Sequence, residues 1–300
     1  MDIRLITTNS IAGTPVTRTK SEFAGMSGAA GAFLAAGLID DLANAGVEVD
    51  RVEGLSATSD EHQDPIATLG AINRELAGKV AAAFPDGRKP VFLGGNCSHT
   101  IGVLSGLQAQ FGATARIGLL WLDAHGDFNT PRTSYSQMLG GMPVAVAAGL
   151  AWPDWREGAG MQTPLPTNRI VMVDVRNLDD REEQLIRATD VDVVRFGDGF
   201  DPAPVNAAID KLAATVDVIY VHIDADILDA TLQPNHPTVE PNGPGVEPVL
   251  AVIGHALATG KVQALALVSI NVDGDEGKIS LASGKELLTG ALAQWNKITA

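Results

Sequence analysis

Eight apolar, β-branched-rich runs punctuate this 300-residue chain, at 2–7, 46–50, 90–93, 116–122, 170–175, 191–195, 217–223 and 263–271. Helix-like stretches lie between most of them, at 23–45, 66–84, 99–111, 178–188, 203–214, 245–260 and 284–295. Strand alternating with helix predicts a parallel sheet with helices on both faces. The runs are nearly all-apolar rather than alternating, as strands covered on both faces must be. The expected fold class is α/β: three layers, α/β/α, on a mainly parallel sheet of roughly eight strands. Hydrophobic residues make up 45% of the chain, and no internal repeat or low-complexity linker interrupts it, so 1–300 reads as one domain.

Two of the runs end in acids. Leu122-Asp123-Ala124-His125-Gly126-Asp127-Phe128-Asn129 follows the run from Arg116, and Val221-His222-Ile223-Asp224-Ala225-Asp226-Ile227-Leu228-Asp229 continues the run from Asp217. The carboxyl edge of an open α/β sheet is where ligands bind. On an extended chain residues two apart face the same side, so Asp123, His125 and Asp127 form one set and Asp224 and Asp226 another. Acids after a strand also serve as turn formers and helix caps. Four carboxylates and an imidazole brought together repel unless cations sit among them, and such donors suit manganese, zinc or nickel.

The balance of 21 basic against 36 acidic residues gives a net charge of −15, which argues against a nucleic-acid or anionic-membrane partner. The one cysteine, Cys97, cannot form an intramolecular disulfide and fits a reducing compartment. The start, Met1-Asp2-Ile3-Arg4, does not read as a signal peptide, and no run reaches the ~18 apolar residues of a membrane span. The expectation is a cytoplasmic protein. Two loops stand apart. Residues 151–168, with Trp152, Trp155 and three prolines, read as a surface excursion. Residues 229–248 hold five prolines and read either as a rigid connector or as the wall of a pocket.

With Leu93-Gly94-Gly95-Asn96-Cys97-Ser98-His99 added, the order Gly-Gly turn, Asp-Ala-His-x-Asp-x-Asn, Asp-x-Asp-x-x-Asp resembles the arginase family of ureohydrolases. Gly25-Met26 through Ala36-Gly37-Leu38-Ile39 resembles the family's first helix, and Val175-Arg176-Asn177-Leu178-Asp179 its turn near the substrate amino group. The family comprises binuclear-manganese hydrolases, among them arginase, agmatinase and formimidoylglutamase. The resemblance implies two divalent metal ions, manganese first, with nickel, zinc or iron as alternatives. Asp123 and Asp224 would bridge them, Asp127 would complete one metal, and His125 and Asp226 the other. A hydroxide between the ions would be the nucleophile, with Asp127 and His125 in the catalytic machinery. Asn129, Ser134 and Ser136 match positions that contact a substrate carboxylate, Asp179 the acid near the substrate amino group, and Thr238 a threonine near the guanidinium. The implied partners are a small-molecule substrate and further copies of the chain, as a trimer or hexamer.

The departures from the family pattern matter as much. Its Gly-Gly-Asp-His-Ser becomes Gly94-Gly95-Asn96-Cys97-Ser98, so the metal-binding histidine is replaced by Cys97 and its acid by Asn96. Cys97 reads as a softer metal ligand or as a small buried apolar residue. His99 could substitute only if the loop were remodelled. Where the family has a proton-shuttling histidine, this chain has Leu139-Gly140-Gly141, and Ser269 stands where the family has a guanidinium-binding glutamate. Ser-x-Asp-x-Asp becomes His222-x-Asp224-x-Asp226, with His222 either supporting the ligands from behind or filling space. Three readings follow. The first is a metal-dependent hydrolase of a linear C–N bond whose substrate is not plain arginine. The second is a metal-free or weakly active member kept for binding or assembly. The third is a thiol hydrolase with Cys97 as nucleophile.

Overall fold

The structure, a computed structural model, describes residues 1–14, 20–56 and 64–299. Its strands are β1 (Asp2–Thr7), β2 (Glu48–Gly54), β3 (Lys89–Leu93), β4 (Ile117–Leu122), β5 (Ile170–Val173), β6 (Asp192–Val194), β7 (Val218–Asp224) and β8 (Val262–Val268). They form one sheet in the order β2-β1-β3-β8-β7-β4-β5-β6, and every neighbouring pair is parallel. The pleat divides each central strand between two cores. Leu120, Leu122, Val221, Ile223, Leu265 and Leu267 pack against the helices Ala29–Ala35, Leu38–Asn44, Ala203–Thr215, Val246–Ala258 and Gly274–Thr299. Phe92, Leu119, Trp121, Tyr220 and Ala266 pack against Pro65–Ala83, Thr100–Phe111, Pro143–Ala147 and Pro153–Gly158. Burial on both faces explains the unbroken apolar runs, each fully buried Leu or Ile contributing about 1.5–3 kcal/mol of transfer free energy. Among the described residues no helix is long and apolar enough to cross a membrane.

Register brings the sites together. Leu93 pairs Leu267, Ile223 pairs Leu267 and Leu122, and Leu122 pairs Val173. The central strands therefore end level. The segments that follow them, beginning at Gly94, Asp123, Asp174, Ala225 and Ser269, leave one common edge. The two acidic runs are neighbours because β4 lies beside β7, whatever their separation in sequence.

Five local expectations change. The stretch 23–45 is three helices, Lys20–Ser27, Ala29–Ala35 and Leu38–Asn44, broken around Gly28 and at Gly37, whose φ of 81° is left-handed. The strand expected at 46–50 is Glu48–Gly54, an edge strand whose charged, mostly exposed residues blur its limits. The run 263–271 stops at Val268, because Ser269 turns to a φ of 65°. The final helix, expected over 284–295, runs from Gly274 to Thr299. The excursion expected at 151–168 is instead packed: Trp155, Ala159, Met161 and Leu165 are buried in the second core. Its prolines suggested surface, but its apolar side chains needed cover, and they decided the outcome.

Candidate metal centre

The Gly94-Gly95 turn delivers Cys97 to the common edge. A methyl group at Gly94 (φ 97°) would lie 2.8 Å from the Thr8 carbonyl oxygen, and one at Gly95 (φ 70°) 2.7 Å from the His99 ring. Only glycine fits that crossing. Asn96 caps the short turn Cys97–His99, accepting from Ser98 N at 3.0 Å and donating to Ala12 O at 3.0 Å. It thus braces the turn behind Cys97. His99 bonds its own turn through Asn96 O, stacks on Phe92 and does not line the cavity.

The two acidic runs are stitched to each other. His125 N donates to Asp123 Oδ1 at 2.6 Å, Asp226 N to Asp224 Oδ1 at 3.0 Å, and Ala124 N crosses to Asp226 Oδ1 at 3.2 Å. His125 Nδ1 lies 3.0 Å from Asp226 Oδ2 and 3.5 Å from Asp123 Oδ1. The Cys97 sulfur lies 2.9 Å from Asp224 Oδ2 and 3.6 Å from Asp123 Oδ2. Asp127 adopts a φ of 45°, a left-handed conformation held where the chain turns back along the cavity. His222 sits beneath this floor, stacked on Trp121 at 3.9 Å between ring centres. Its Nδ1 meets Thr100 Oγ1 and Tyr220 Oη, both at 2.9 Å, and its Nε2 meets the Cys97 sulfur at 3.3 Å.

Burial, and then the neighbouring carboxylates, push Asp123 up. Burial raises Asp127 and Asp224 as well, the latter with help from Asp226. Burial would raise Asp226 too, but the facing His125 holds it below the usual range. His125 itself is raised against burial by Asp226, Asp123 and Glu240. The Cys97 thiol is pushed up by burial and by Asp224, Asp127 and Asp123, while burial drives His222 down to about 3. The floor thus gathers more negative charge than one imidazole relieves. Divalent cations would relieve it.

Above this floor is a cavity of about 290 Å³. Asn96, Cys97, Asp123, His125, Asp127, Asn129, Ser136, Asp179, Asp224, Asp226, Thr238 and Ser269 line it, with Phe23, Met26 and Met138 as apolar wall. Asn129 Nδ2 donates to Asp179 Oδ2 at 3.2 Å, and Thr238 Oγ1 to Asp226 Oδ2 at 3.4 Å. Of the candidate site residues read from the sequence, Ser134 and His222 do not line the cavity. The Ser134 hydroxyl accepts from Gln137 N at 2.9 Å.

Four residues at or near the cavity had no assigned role in the sequence. Glu240 accepts from His125 Nε2 at 3.1 Å and Asn177 Nδ2 at 2.7 Å, so it orients the imidazole with Nδ1 toward Asp226. Arg176 reaches five carbonyls: Asp226 (2.8 Å), Ile227 (3.2 Å), Leu228 (3.3 Å), Glu240 (3.2 Å) and Pro241 (3.2 Å). It clamps the proline-rich loop to the second acidic run. Glu182, pushed up to about 7 by burial, accepts from Phe128 N at 2.7 Å beside the cavity. His236, 7% exposed, comes from the same proline-rich loop, and its Nε2 is buried without a hydrogen-bond partner. That loop is a wall of the cavity, through His236, Pro237 and Thr238.

Among the described residues three groups of ligand atoms lie close enough to share a cation: Cys97, Asp123 and His222; Asp123, His125 and Asp226; Asp224, Asp226 and His236. The donor chemistry fits divalent metals. The arginase family model matches residues 8–293, nearly the whole chain. The chain belongs to the arginase family. An arginase from Bacillus caldovelox is 28% identical over 200 residues, a match covering 65% of this chain. The chain spans about 65% of that relative's length. The solved arginase of Bacillus subtilis superposes over 97% of this chain and 98% of its own, at a TM-score of 0.82 and 24% identity. The formimidoylglutamase of Bacillus subtilis superposes over 98% of this chain and 86% of its own, at 0.73 and 16%. The two superpositions place this chain in the arginase fold.

Proposed function

We propose that this protein is a metal-dependent hydrolase of a linear C–N bond, of amidine, formimino or amide type, and that unmodified arginine is not its substrate. The observation that carries the reading is the gathering of Asp123, His125, Asp127, Asp224 and Asp226 on one cavity floor. Asp123, Asp224, Asp127, Cys97, His125 and Asp226 would hold two divalent cations, Asp127 and Cys97 serving one, His125 and Asp226 the other, and Asp123 and Asp224 serving both. Bound cations supply a water made acidic and a polarised electrophile. The chain's own groups do the rest. The Asp127 carboxylate, at the wall formed by Gly141, takes a proton and returns it to the leaving nitrogen. Glu240 holds His125 in its ligating orientation. Asn129, Ser136 and Asp179 receive the polar end of the substrate, against Met26 and Met138. The cavity volume suits a small molecule, and a trimer or hexamer is the assembly the family implies.

Ser269 underlies the substrate inference. A carboxylate facing a guanidinium makes a strong, directional pair, which a serine hydroxyl cannot replace. Glu240, an acid of the proline-rich loop, is committed to His125 and Asn177. One observation favours a thiol hydrolase: the Cys97 sulfur lies 3.3 Å from His222 Nε2. The carboxylates of Asp224 and Asp123 crowd the same sulfur and oppose a thiolate.

Elemental analysis of the purified protein, together with hydrolysis of guanidino, formimino and amide substrates before and after chelation, tests the reading. Two cations per chain and activity lost on chelation and regained with metal are expected, while activity that survives chelation decides for the thiol. Ser269→Glu should raise the ratio of kcat/KM for a guanidino over an amide or formimino substrate at least tenfold. Efficient turnover of plain arginine by the wild type overturns the substrate inference.

A further inference from the structure

His236 is the residue this cavity leaves unexplained. Its ring is nearly fully buried, yet its Nε2 has no hydrogen-bond partner. That nitrogen lies 3.7 Å from Asp224 Oδ1, beyond a hydrogen bond, and Nδ1 lies 3.7 Å from Asp226 Oδ2. Atoms held by one cation through bonds near 2.1 Å stand roughly 3 to 3.5 Å apart. A closure of a few tenths of an ångström would bring Asp224 and His236 to that separation. Nδ1 meanwhile sits 3.2 Å from the Thr238 carbonyl oxygen. Thr238 N–H and Oγ1 lie equally near Nδ1, at 3.2 and 3.1 Å, so both ring tautomers find a partner in Thr238; in the one that donates Nδ1–H to the carbonyl or hydroxyl oxygen, the Nε2 lone pair is free, the arrangement ligating histidines adopt.

Resting on the metal-dependent reading above, we infer that His236 is a metal ligand through Nε2, on the cation held by His125, Asp224 and Asp226. The two oxygens of Asp224 separate the two sides, since Oδ2 faces the Cys97 sulfur and Oδ1 faces His236. One cation then has two imidazoles and carboxylates, and the other a thiol sulfur and carboxylates. Two imidazoles shift the first position toward borderline ions, cobalt or zinc over manganese. His236 thereby restores, on the opposite side of the floor, the imidazole absent at position 97.

Cobalt(II) titration of chelator-stripped protein, followed by visible absorption and by competition with a chelating dye, tests this. Wild type should bind two ions. His236→Ala and His236→Asn should each weaken one of them at least tenfold and change its d–d spectrum, leaving the other affinity within twofold. Wild-type affinities and spectra in both variants would overturn the assignment of His236 while leaving the metal reading intact. Failure of the wild type to bind cobalt, zinc or manganese would overturn both. X-ray absorption on wild type loaded with two zinc ions keeps the inference testable should the variants not fold. An average of one imidazole per zinc supports it, and one imidazole per two zincs refutes it.

Discussion

The two sides of the cavity floor are built from different materials. On one side a tight Gly-Gly turn presents a single soft donor, Cys97, over the buried and neutral His222. On the other a proline-rich loop lays His236, Thr238 and Glu240 around His125 and Asp226. The turn is braced locally, by Asn96 and the crossing at Thr8. The loop is held from outside, by one guanidinium spanning five carbonyls. A family likeness that puts an imidazole on the first side finds it, in the proposed assignment, on the second. In that assignment the donor set is redistributed rather than diminished, so loss of a motif residue alone is poor evidence for loss of a metal.

The largest effect belongs to the residues that serve both sides. Asp123→Ala or Asp224→Ala should abolish retention of both ions and lower kcat/KM at least a thousandfold, because in the proposed assignment each removes a ligand shared by both cations. Asp224→Ala that kept one ion at full affinity would show that the two sides do not share this carboxylate. Normal turnover with two ions bound would sink the metal assignment itself.

Substitutions confined to one side come next. Cys97→Ser should weaken one cation about 10- to 100-fold, with excess metal restoring part of the rate, and Cys97→His should match or exceed wild-type affinity. Combined with His236→Ala, the losses should fall on different ions, and any coupling between them should pass through Asp224, which both residues face. If both single variants weaken the same ion, the division of the floor into two sides is wrong.

Which parts of this arrangement could be read from sequence follows from where their causes lie. The strands were legible because burial on both faces leaves a local apolar trace, as in Ile117–Leu122 and Val218–Asp224. That Asp123 and Asp224 meet depends on strand order, which no local pattern carries; their common place at strand ends and the ordered family motifs suggested it. His236 lay hidden because the loop has no periodicity and its carboxylate partners belong to another element. The one available signal was a histidine among prolines directly after an acidic run. The turn at Ser269 went unread because a positive φ leaves no mark on an otherwise apolar run, and Trp155 was misread because prolines were weighed above apolar content.

The smallest expected effect tests whether the proline-rich loop acts through its cavity face alone. Asp229 opens that loop, yet its carboxylate turns to the chain beside it, accepting from Thr231 N at 3.0 Å and Thr231 Oγ1 at 2.7 Å. These bonds hold it below its ordinary value of 3.8. A carboxyl depressed by folding adds stability above that value, and loses it as pH falls through the lower folded one. Asp229→Ala should therefore cost about 1 kcal/mol near neutral pH, as loss of a capping acceptor does, and lower Tm by roughly 2 °C. The difference from wild type should be constant from pH 8 to about 5 and narrow below 3.8. Metal content and cobalt affinity should stay unchanged, measured on the same preparations. A variant that lost an ion would show that order at the loop's entrance is transmitted to His236 and Asp226, and that the loop side of the floor is less independently held than the turn side.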